Sequence, residues 1–361
     1  MWRWLRALLA LGLLVAALLA IPILKTEFGC LGATAPAGNT HTPILPLAHR
    51  RNEVNTYLTY PEWAIVHAYE DFAGVVRERS ESHFNYALSV QNYWTSLCGL
   101  MGIASQRGTI TSDYKAMLYI IGASFTAEFA VKGIYEQTIG RVTEWLRGDV
   151  RTPEDEFALK VATDYAKFLK QTPWYEYPFS ATLRQFWLET PWRSTSIIRS
   201  VERRVALSLE FGVKAVYAKA IGALAGLTPA DSKIRSIVSG MDSTDAATDP
   251  RIKLIEKSAD GATIIETDRY RVFTEVLQGL AARQRDLVEI AGNDDVLITY
   301  LSRSDAPPLE AAGARLLTVP VQSRSGWERR GADVKVTALL ALMRAASAAG
   351  TLYEFEHVYD Y

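Results

Sequence analysis

The sequence predicts a mainly α N-terminal bundle followed by a small α+β antiparallel sandwich, with an N-terminal transmembrane helix. Three observations predict this. Residues 7–24 are an uncharged apolar run. Helical spacing of apolar residues dominates from Thr59 to Leu227. Beyond residue 250, short runs rich in β-branched residues, bounded by turn residues, alternate with helical patterns.

The N-terminal run is preceded by Arg3 and Arg6 and extends from Ala7 to Leu24. As a helix it rises about 27 Å, close to the roughly 30 Å hydrocarbon core of a bilayer. Trp2 and Trp4 suit an interface, and the arginines favour a cytoplasmic N-terminus. A cleaved signal needs a small-x-small site soon after the run, but the nearest, Ala33-Thr34-Ala35, is distant and precedes Pro36. Glu27-Phe28-Gly29 before Cys30 do not match a lipoprotein signal. The expectation is an uncleaved anchor over 1–28. It touches the lipid bilayer through residues 7–24, in a single-pass protein of the cell membrane whose later domains lie outside the cytoplasm.

Residues 29–58 are rich in Pro, Gly, Asn and Thr and read as a spacer. The helical domain follows over 59–240. Thr59 before Pro61-Glu62 marks a helix start, and Ile65, Tyr69, Phe72 and Val76 share one face of that helix. "HFNYALSVQNYWTSLCGLMGIA" is a second helix. Ser112 opens a third that runs to about Arg147 and stops at Gly148. Thr152, Pro153 and Asp155 form a capping signature for a fourth. Pro173 and Pro178 interrupt in "TPWYEYPF". A short helix over 179–189 and a long one from about Ser194 to Ala225 complete the domain.

The last domain is expected over 251–361, after a turn-rich linker at 242–250. "IKLIEKS" and "ATIIET" form a hairpin around Asp260-Gly261, and a helix covers 268–283. "DLVEIAG" and "DVLITYLS" suggest a second hairpin around Asn293-Asp294. "RLLTVPVQ" is a strand, 333–349 a helix and "TLYEFEHVYDY" a closing strand. In that strand Tyr353, Phe355, His357, Tyr359 and Tyr361 share one face. A ferredoxin-like arrangement is a candidate by element order alone.

The helical domain carries a candidate repeat. "EFAVKGIYEQTIG" (128–140) matches "EFGVKAVYAKAIG" (210–222) at Glu, Phe, Val, Lys, Tyr, Ile and Gly. "QNYW" ending at Trp94 parallels "RQFW" ending at Trp187, and the tryptophan-to-glutamate gap is 11 residues shorter in the second copy. Duplication of a three-helix unit, with repeats over 59–148 and 149–227, is one reading; two similar amphipathic helices is the other.

The spacing puts Glu128 with Lys132, and Glu210 with Lys214, on one helix face each. Their neighbours Phe125, Phe129, Val131, Ile134, Leu209, Phe211, Val213 and Val216 are apolar, so the four charges are expected to meet and neutralise one another. A polar ligand pocket is the competing reading. Lys115 and Glu128 are too close together to bracket a bilayer span. Glu210, Lys214 and Lys219 argue against lipid contact by the last long helix.

Other candidates have bland readings. Ser112-x-x-Lys115 has the spacing of a serine–lysine nucleophile, but its companion motifs are absent and an N-cap explains Ser112. His67 lies near Glu62, Glu70 and Asp71 without a metal-binding spacing. Arg193, Arg199, Arg203 and Arg204 read as a solvated cluster or an anion site. Trp174, Tyr175, Tyr177 and Phe179 plug the bundle end or stack on a glycan or a partner. Asp294 and Asp295 are turn residues. Cys30 and Cys98 either pair in an oxidising compartment or leave Cys98 as a buried thiol.

Apolar residues make up 49% and charged residues 22% of the chain, and the net charge is −1, so nothing pulls it toward nucleic acid. Phosphate-loop, dinucleotide, nucleophile-elbow and zinc motifs are missing, so no cofactor and no metal are expected. These readings point to a non-enzymatic binding or scaffold protein of the cell envelope, with an envelope protein or glycan as partner. The alternative is an extracytoplasmic hydrolase-type enzyme using Glu128 or Glu210 between the repeats.

Overall fold

In a computed structural model, residues 6, 17, 19–30, 41–50, 56–107, 110–192, 194, 196–224, 232–241, 243–257, 261–309, 315–322 and 326–359 are described. The chain is mostly helical with two small antiparallel sheets, and it divides into two compact units. Met1–Gly29, Pro61–Thr95 and Thr111–Gly226 form the first; Cys30–Tyr60, Ser96–Ile110 and Leu227–Tyr361 form the second. Most of the anchor run 7–24 lies outside the described residues; helix α1 covers 19–29.

The first unit is built from helices α2 (Tyr60–Glu78), the start of α3 (Tyr86–Arg107, whose residues from Ser96 on belong to the second unit), α4 (Ser112–Tyr135), α5 (Arg141–Arg147), α6 (Pro153–Leu169), α7 (Phe179–Glu189) and α8 (Ile197–Leu224). A π turn over Glu136–Gly140 joins α4 to α5, so 112–147 is one continuous rod. Gly148 ends it at φ 73°, a conformation that needs no Cβ. Thr152 and Asp155 form the reciprocal capping box of α6, with Pro153 in its first turn. Helix, 3-10 turn, helix, long helix occurs twice: α2, Glu81–His83, α3, α4, and then α6, Trp174–Glu176, α7, α8. Helix α3 has 22 residues and α7 has 11, which accounts for the shorter gap in the second copy. The rod Ser112–Arg147 is the one helix among the described residues long and apolar enough to cross a membrane by length and composition. Its most apolar stretch has mean hydropathy 1.3, with only 28% of that stretch buried.

The second unit contains strands β1 (Lys233–Ser239), β2 (Lys253–Lys257), β3 (Thr263–Asp268), β4 (Asp286–Ile290), β5 (Asp295–Arg303), β6 (Arg315–Gln322), β7 (Trp327–Lys335) and β8 (Tyr353–Val358). Helix α9 (Ser243–Thr248) follows β1, α10 (Arg271–Ala282) joins β3 to β4, and α11 (Val336–Ala348) joins β7 to β8. The two sheets have strand orders β2-β3-β1-β4 and β6-β7-β5-β8. Numbered within each sheet, both orders are 2-3-1-4 with one helix before the fourth strand. Apart from the short α9 between β1 and β2, the second unit is therefore one βββαβ pattern used twice. Even the register shifts coincide, falling between first and fourth strands and between second and third strands in both sheets. Phe273, Val276, Leu277 and Leu280 of α10 and Leu339, Leu340 and Met343 of α11 join the inner faces of both sheets in one core. Each such side chain contributes about 1.5–3 kcal/mol on burial.

Four sequence expectations are corrected here. Strand β1 lies inside 59–240, the range assigned to the helical domain. Residues 295–303 do not hairpin with 286–290: β4 pairs with β1, while β5 pairs with β7 and β8. Only the bridge Ile290–Asn293 closes that turn, where Ala291 and Gly292 take positive φ before the chain enters the other sheet. Helix α11 starts at Val336, because 327–335 is strand β7. The first sheet's segment runs β1-α9-β2-β3-α10-β4, which is the ferredoxin-like element order expected from sequence. In β8 the bulge at Glu356 breaks the alternation, so that Tyr353 and Val358 enter the core. Tyr361 lies outside the described residues.

Candidate functional site

Antiparallel pairing of α4–α5 with α8 creates the most distinctive chemistry of the first unit. Contacts run in reverse order along the two rods. Glu128 meets Lys214 at 2.8 Å, Lys132 meets Glu210 at 3.0 Å, Glu136 meets Arg203 at 3.0 Å, and the Gly140 carbonyl accepts from Arg199 at 3.2 Å. In the first two pairs each copy of the Glu-x-x-x-Lys motif gives its lysine to the other copy's glutamate. Lys214 also reaches Glu210 at 3.3 Å, and the Tyr69 hydroxyl donates to Glu128. The ammonium groups rest on aromatic faces: Lys132 on Phe72, and Lys214 near Tyr69, Tyr165 and Phe179.

Burial alone would push the Glu210 carboxyl up; Lys132 and Lys214 outweigh it and bring it down to about 2. Burial likewise works against the Lys214 ammonium, and Glu128, Tyr69 and Glu210 hold its pKa well above the ordinary lysine value.

A second, deeper cluster continues along the same face of α8. Arg199 and Arg203 are each 1% exposed and Arg204 is 2% exposed, so the solvated reading of this cluster is corrected; Arg193 lies outside the described residues. Arg199 binds Asp155 at 2.9 Å, Glu202 at 3.1 Å and the Thr143 hydroxyl at 3.0 Å. Arg203 binds Glu136, Glu202 and Glu81, and Arg147 reaches Asp155 at 2.8 Å. Arg204 pairs with Glu154 at 2.8 Å, donates to the Thr190 carbonyl and stacks on Trp192. The capping carboxylate of α6, Asp155, is thus also a hub of the cluster. Burial pushes its carboxyl up, but Arg199, the Thr152 amide and Arg147 prevail and hold it below the usual range.

Four carboxylates (Glu81, Glu136, Asp155, Glu202) face three guanidinium groups (Arg147, Arg199, Arg203) in this cluster. Glu136 stands apart among them: burial pushes its carboxyl up to about 7 against the pull of Arg203.

The remaining candidates have plain roles. Thr111, not Ser112, caps α4 by accepting from the Tyr114 amide. Lys115 and Tyr119 both bind Glu27 of α1 at 2.6 Å, so the serine–lysine reading has no free lysine. His67 is buried against Trp63. Tyr177 packs on Tyr165, Phe168 and Phe179, and Trp174 on Tyr217. Asp294 and Asp295 receive Lys335. Cys30 and Cys98 are joined in a disulfide with Cα atoms 5.0 Å apart.

Glu81 and Glu154 of the arginine cluster escaped sequence reasoning, and so did Glu289. Glu289 of β4 is fully buried and accepts from the amides of Ile44 and Leu45 and from His41. It fastens residues 41–45, read from sequence as spacer, to the second unit. The only available signal was an acidic residue between the apolar Val288 and Ile290 of a strand.

A cavity of about 30 Å3 lies among Tyr69, Phe72, Lys132, Tyr165, Glu210 and Lys214. That is room for about one water molecule. Chemically, the arrangement is an ion clamp: Glu128 and Glu210 are each paired with a lysine of the facing helix. The class this geometry defines is a helical bundle locked by buried ion pairs, joined in one chain to a twice-used βββαβ unit. No protein-family model matches the chain, and comparison with curated proteins and with solved structures finds no match.

Proposed function

We propose that this chain is a membrane-anchored, extracytoplasmic binding or scaffold protein of the cell envelope rather than an enzyme. In this reading residues 7–24 span the bilayer and both units lie beyond it. The observation that carries the non-enzymatic reading is the mutual pairing of the motif charges, Glu128 with Lys214 and Glu210 with Lys132. An acid–base catalyst at Glu128 or Glu210 would need a carboxylate free to exchange a proton with substrate. The disulfide supports an oxidising compartment, because cytosolic thiols stay reduced. We further infer that the bundle arose by duplication of a three-helix unit. The repeated element order and the exchanged lysines of the two motifs support this.

A reporter enzyme that is active only outside the cytoplasm, fused after Tyr361, tests the topology. Activity is expected, and a silent but intact fusion would refute the envelope assignment. Glu128→Gln tests the clamp. Reduced stability with no substrate turnover to lose supports a scaffold; an unaltered fold with loss of a cellular activity supports chemistry.

A further inference from the structure

The outer surface of the first unit inverts the usual order of a soluble bundle. Along α8 the residues most open to solvent between 197 and 217 are Ile197, Ile198, Val201, Val205, Leu209, Val213, Val216 and Tyr217, and none is charged. The acidic and basic residues of the same stretch (Arg199, Glu202, Arg203, Arg204, Glu210, Lys214) all turn inward to partners. Of the three charges that argued from sequence against lipid contact by α8, Glu210 and Lys214 are therefore on the other face, and Lys219, beyond the stripe, is exposed. The antiparallel rod resembles it, exposing Ile120, Val131, Ile134, Val142 and Trp145 while Glu128, Lys132 and Glu136 point inward; between 116 and 146 Arg141 is its one exposed charge. From Ile197 to Val216 the stripe is about 28 Å long. An uncharged surface of this size on a folded unit marks an interaction site.

The occupant follows from where this surface begins. Glu27 at the end of α1 is held by Lys115 and Tyr119 at the start of α4. Residues 19–29 of α1 therefore lead to the exposed Met117 and Ile120, and Ile21, Leu24 and Phe28 of α1 are exposed as well. Exposed Trp145, Trp187 and Trp192 supply the aromatic residues favoured at a membrane interface. The far side of the unit is wet: α6 exposes Glu156, Lys160, Asp164 and Lys167. We propose that the α4–α5–α8 face lies in the plane of the bilayer surface, its apolar side chains sunk among the lipid chains, without crossing the membrane. This rests on the anchored reading only for bringing the unit to the bilayer.

The test uses full-length protein reconstituted in phosphatidylcholine–phosphatidylglycerol vesicles containing brominated lipid. Both native cysteines are in the disulfide, so an environment-sensitive fluorophore can be placed singly at Val213→Cys, Lys160→Cys or Leu13→Cys. Loss of emission at Val213→Cys, and none at Lys160→Cys, is the expected result. Quenching at Leu13→Cys alone would overturn this proposal and leave the anchor standing. Quenching at Val213→Cys but not at Leu13→Cys would sink the anchor and keep the lipid face. An unquenched Val213→Cys probe that instead self-quenches between molecules would assign the face to a second copy of the chain and overturn the lipid seat.

Discussion

Lys214 lies 2.8 Å from the Glu128 carboxylate, on a helix 86 residues further along the chain, rather than serving only the Glu210 of its own helix turn. The exchange matters energetically. A pair within one helix is worth a few tenths of a kcal/mol. A desolvated pair between helices couples the two long rods, and removing either partner strands the other.

Lys214→Met should therefore destabilise the protein by about 3–5 kcal/mol, the usual cost of breaking a buried pair. Adding Glu128→Gln to it should recover part of that loss. Denaturant unfolding of wild type, both single variants and the double variant gives the coupling energy, and additive single effects would contradict a shared clamp.

Arg203 makes a stronger case, since it answers to Glu81, Glu136 and Glu202 together. Arg203→Leu should lower stability by at least about 3 kcal/mol. Arg203→Lys should rescue little of it, because a point charge cannot replace the planar fork. Thermal melts of the two variants check this, and near-wild-type stability of the lysine variant would deny the fork its role.

Glu136 sets a pH dependence. Its carboxyl is pushed up to about 7 in the folded protein, so its contribution is fully present below the unfolded value of 4.5 and is lost as pH rises through about 7. Asp155 and Glu202 act in the opposite sense. Burial pushes both up, but Arg199 at Asp155 and Arg203 at Glu202 prevail, so their stabilisation holds above the ordinary carboxylate range and fades in acid. Between pH 5 and 8, wild type should lose roughly 2–3 kcal/mol and Glu136→Gln should lose much less. Chemical denaturation at the two pH values decides it; parallel losses in both proteins would rule Glu136 out.

Gly140 supplies a prediction that runs against helix propensity. Alanine is better than glycine inside a helix by about 1 kcal/mol. Yet a Cβ at Gly140 would collide with Glu136 Oε2, inside a π turn that already places the carboxyl over the backbone. Gly140→Ala should destabilise, and adding Glu136→Ala should remove the penalty. Urea midpoints of the two variants provide the measurement.

The Cys30–Cys98 disulfide closes a loop with a sequence separation of 68. Loop-closure entropy makes it worth about 4 kcal/mol. A lower melting temperature in reductant, absent in Cys98→Ser, is the expected result.

Local rules were the legible part of this chain. The glycine stop at 148, the Thr152–Asp155 capping box and the turn before Thr263 could each be read from a few neighbouring residues. The long-range features could not. Strand β1 is a seven-residue segment after a long helix, and its partners β3 and β4 come later in the chain. The Asn293-Asp294 hairpin failed because a turn signal does not say which sheet receives the next strand. The candidate site shows a subtler problem. Glu128, Lys132, Glu210 and Lys214 stood out by spacing, but Val131, Ile134, Leu209, Val213 and Val216 were assumed to pack around them and are instead exposed. A helical wheel finds two faces and does not say which is inside. Arg199, Arg203, Glu210 and Lys214 fall on a single stripe of α8, and reading that stripe as interior would have revealed the arginine cluster.

The two βββαβ halves of the second unit also trade contacts: α11 lies against β4 of the first half, and α10 against β8 of the second. Each helix packs both on its own sheet and on the other half's. A chain nicked at Gly292 would thus stay together as a noncovalent heterodimer. A gene encoding one half alone would gain a dry interior only by self-association, which is a simple ancestry for the whole unit.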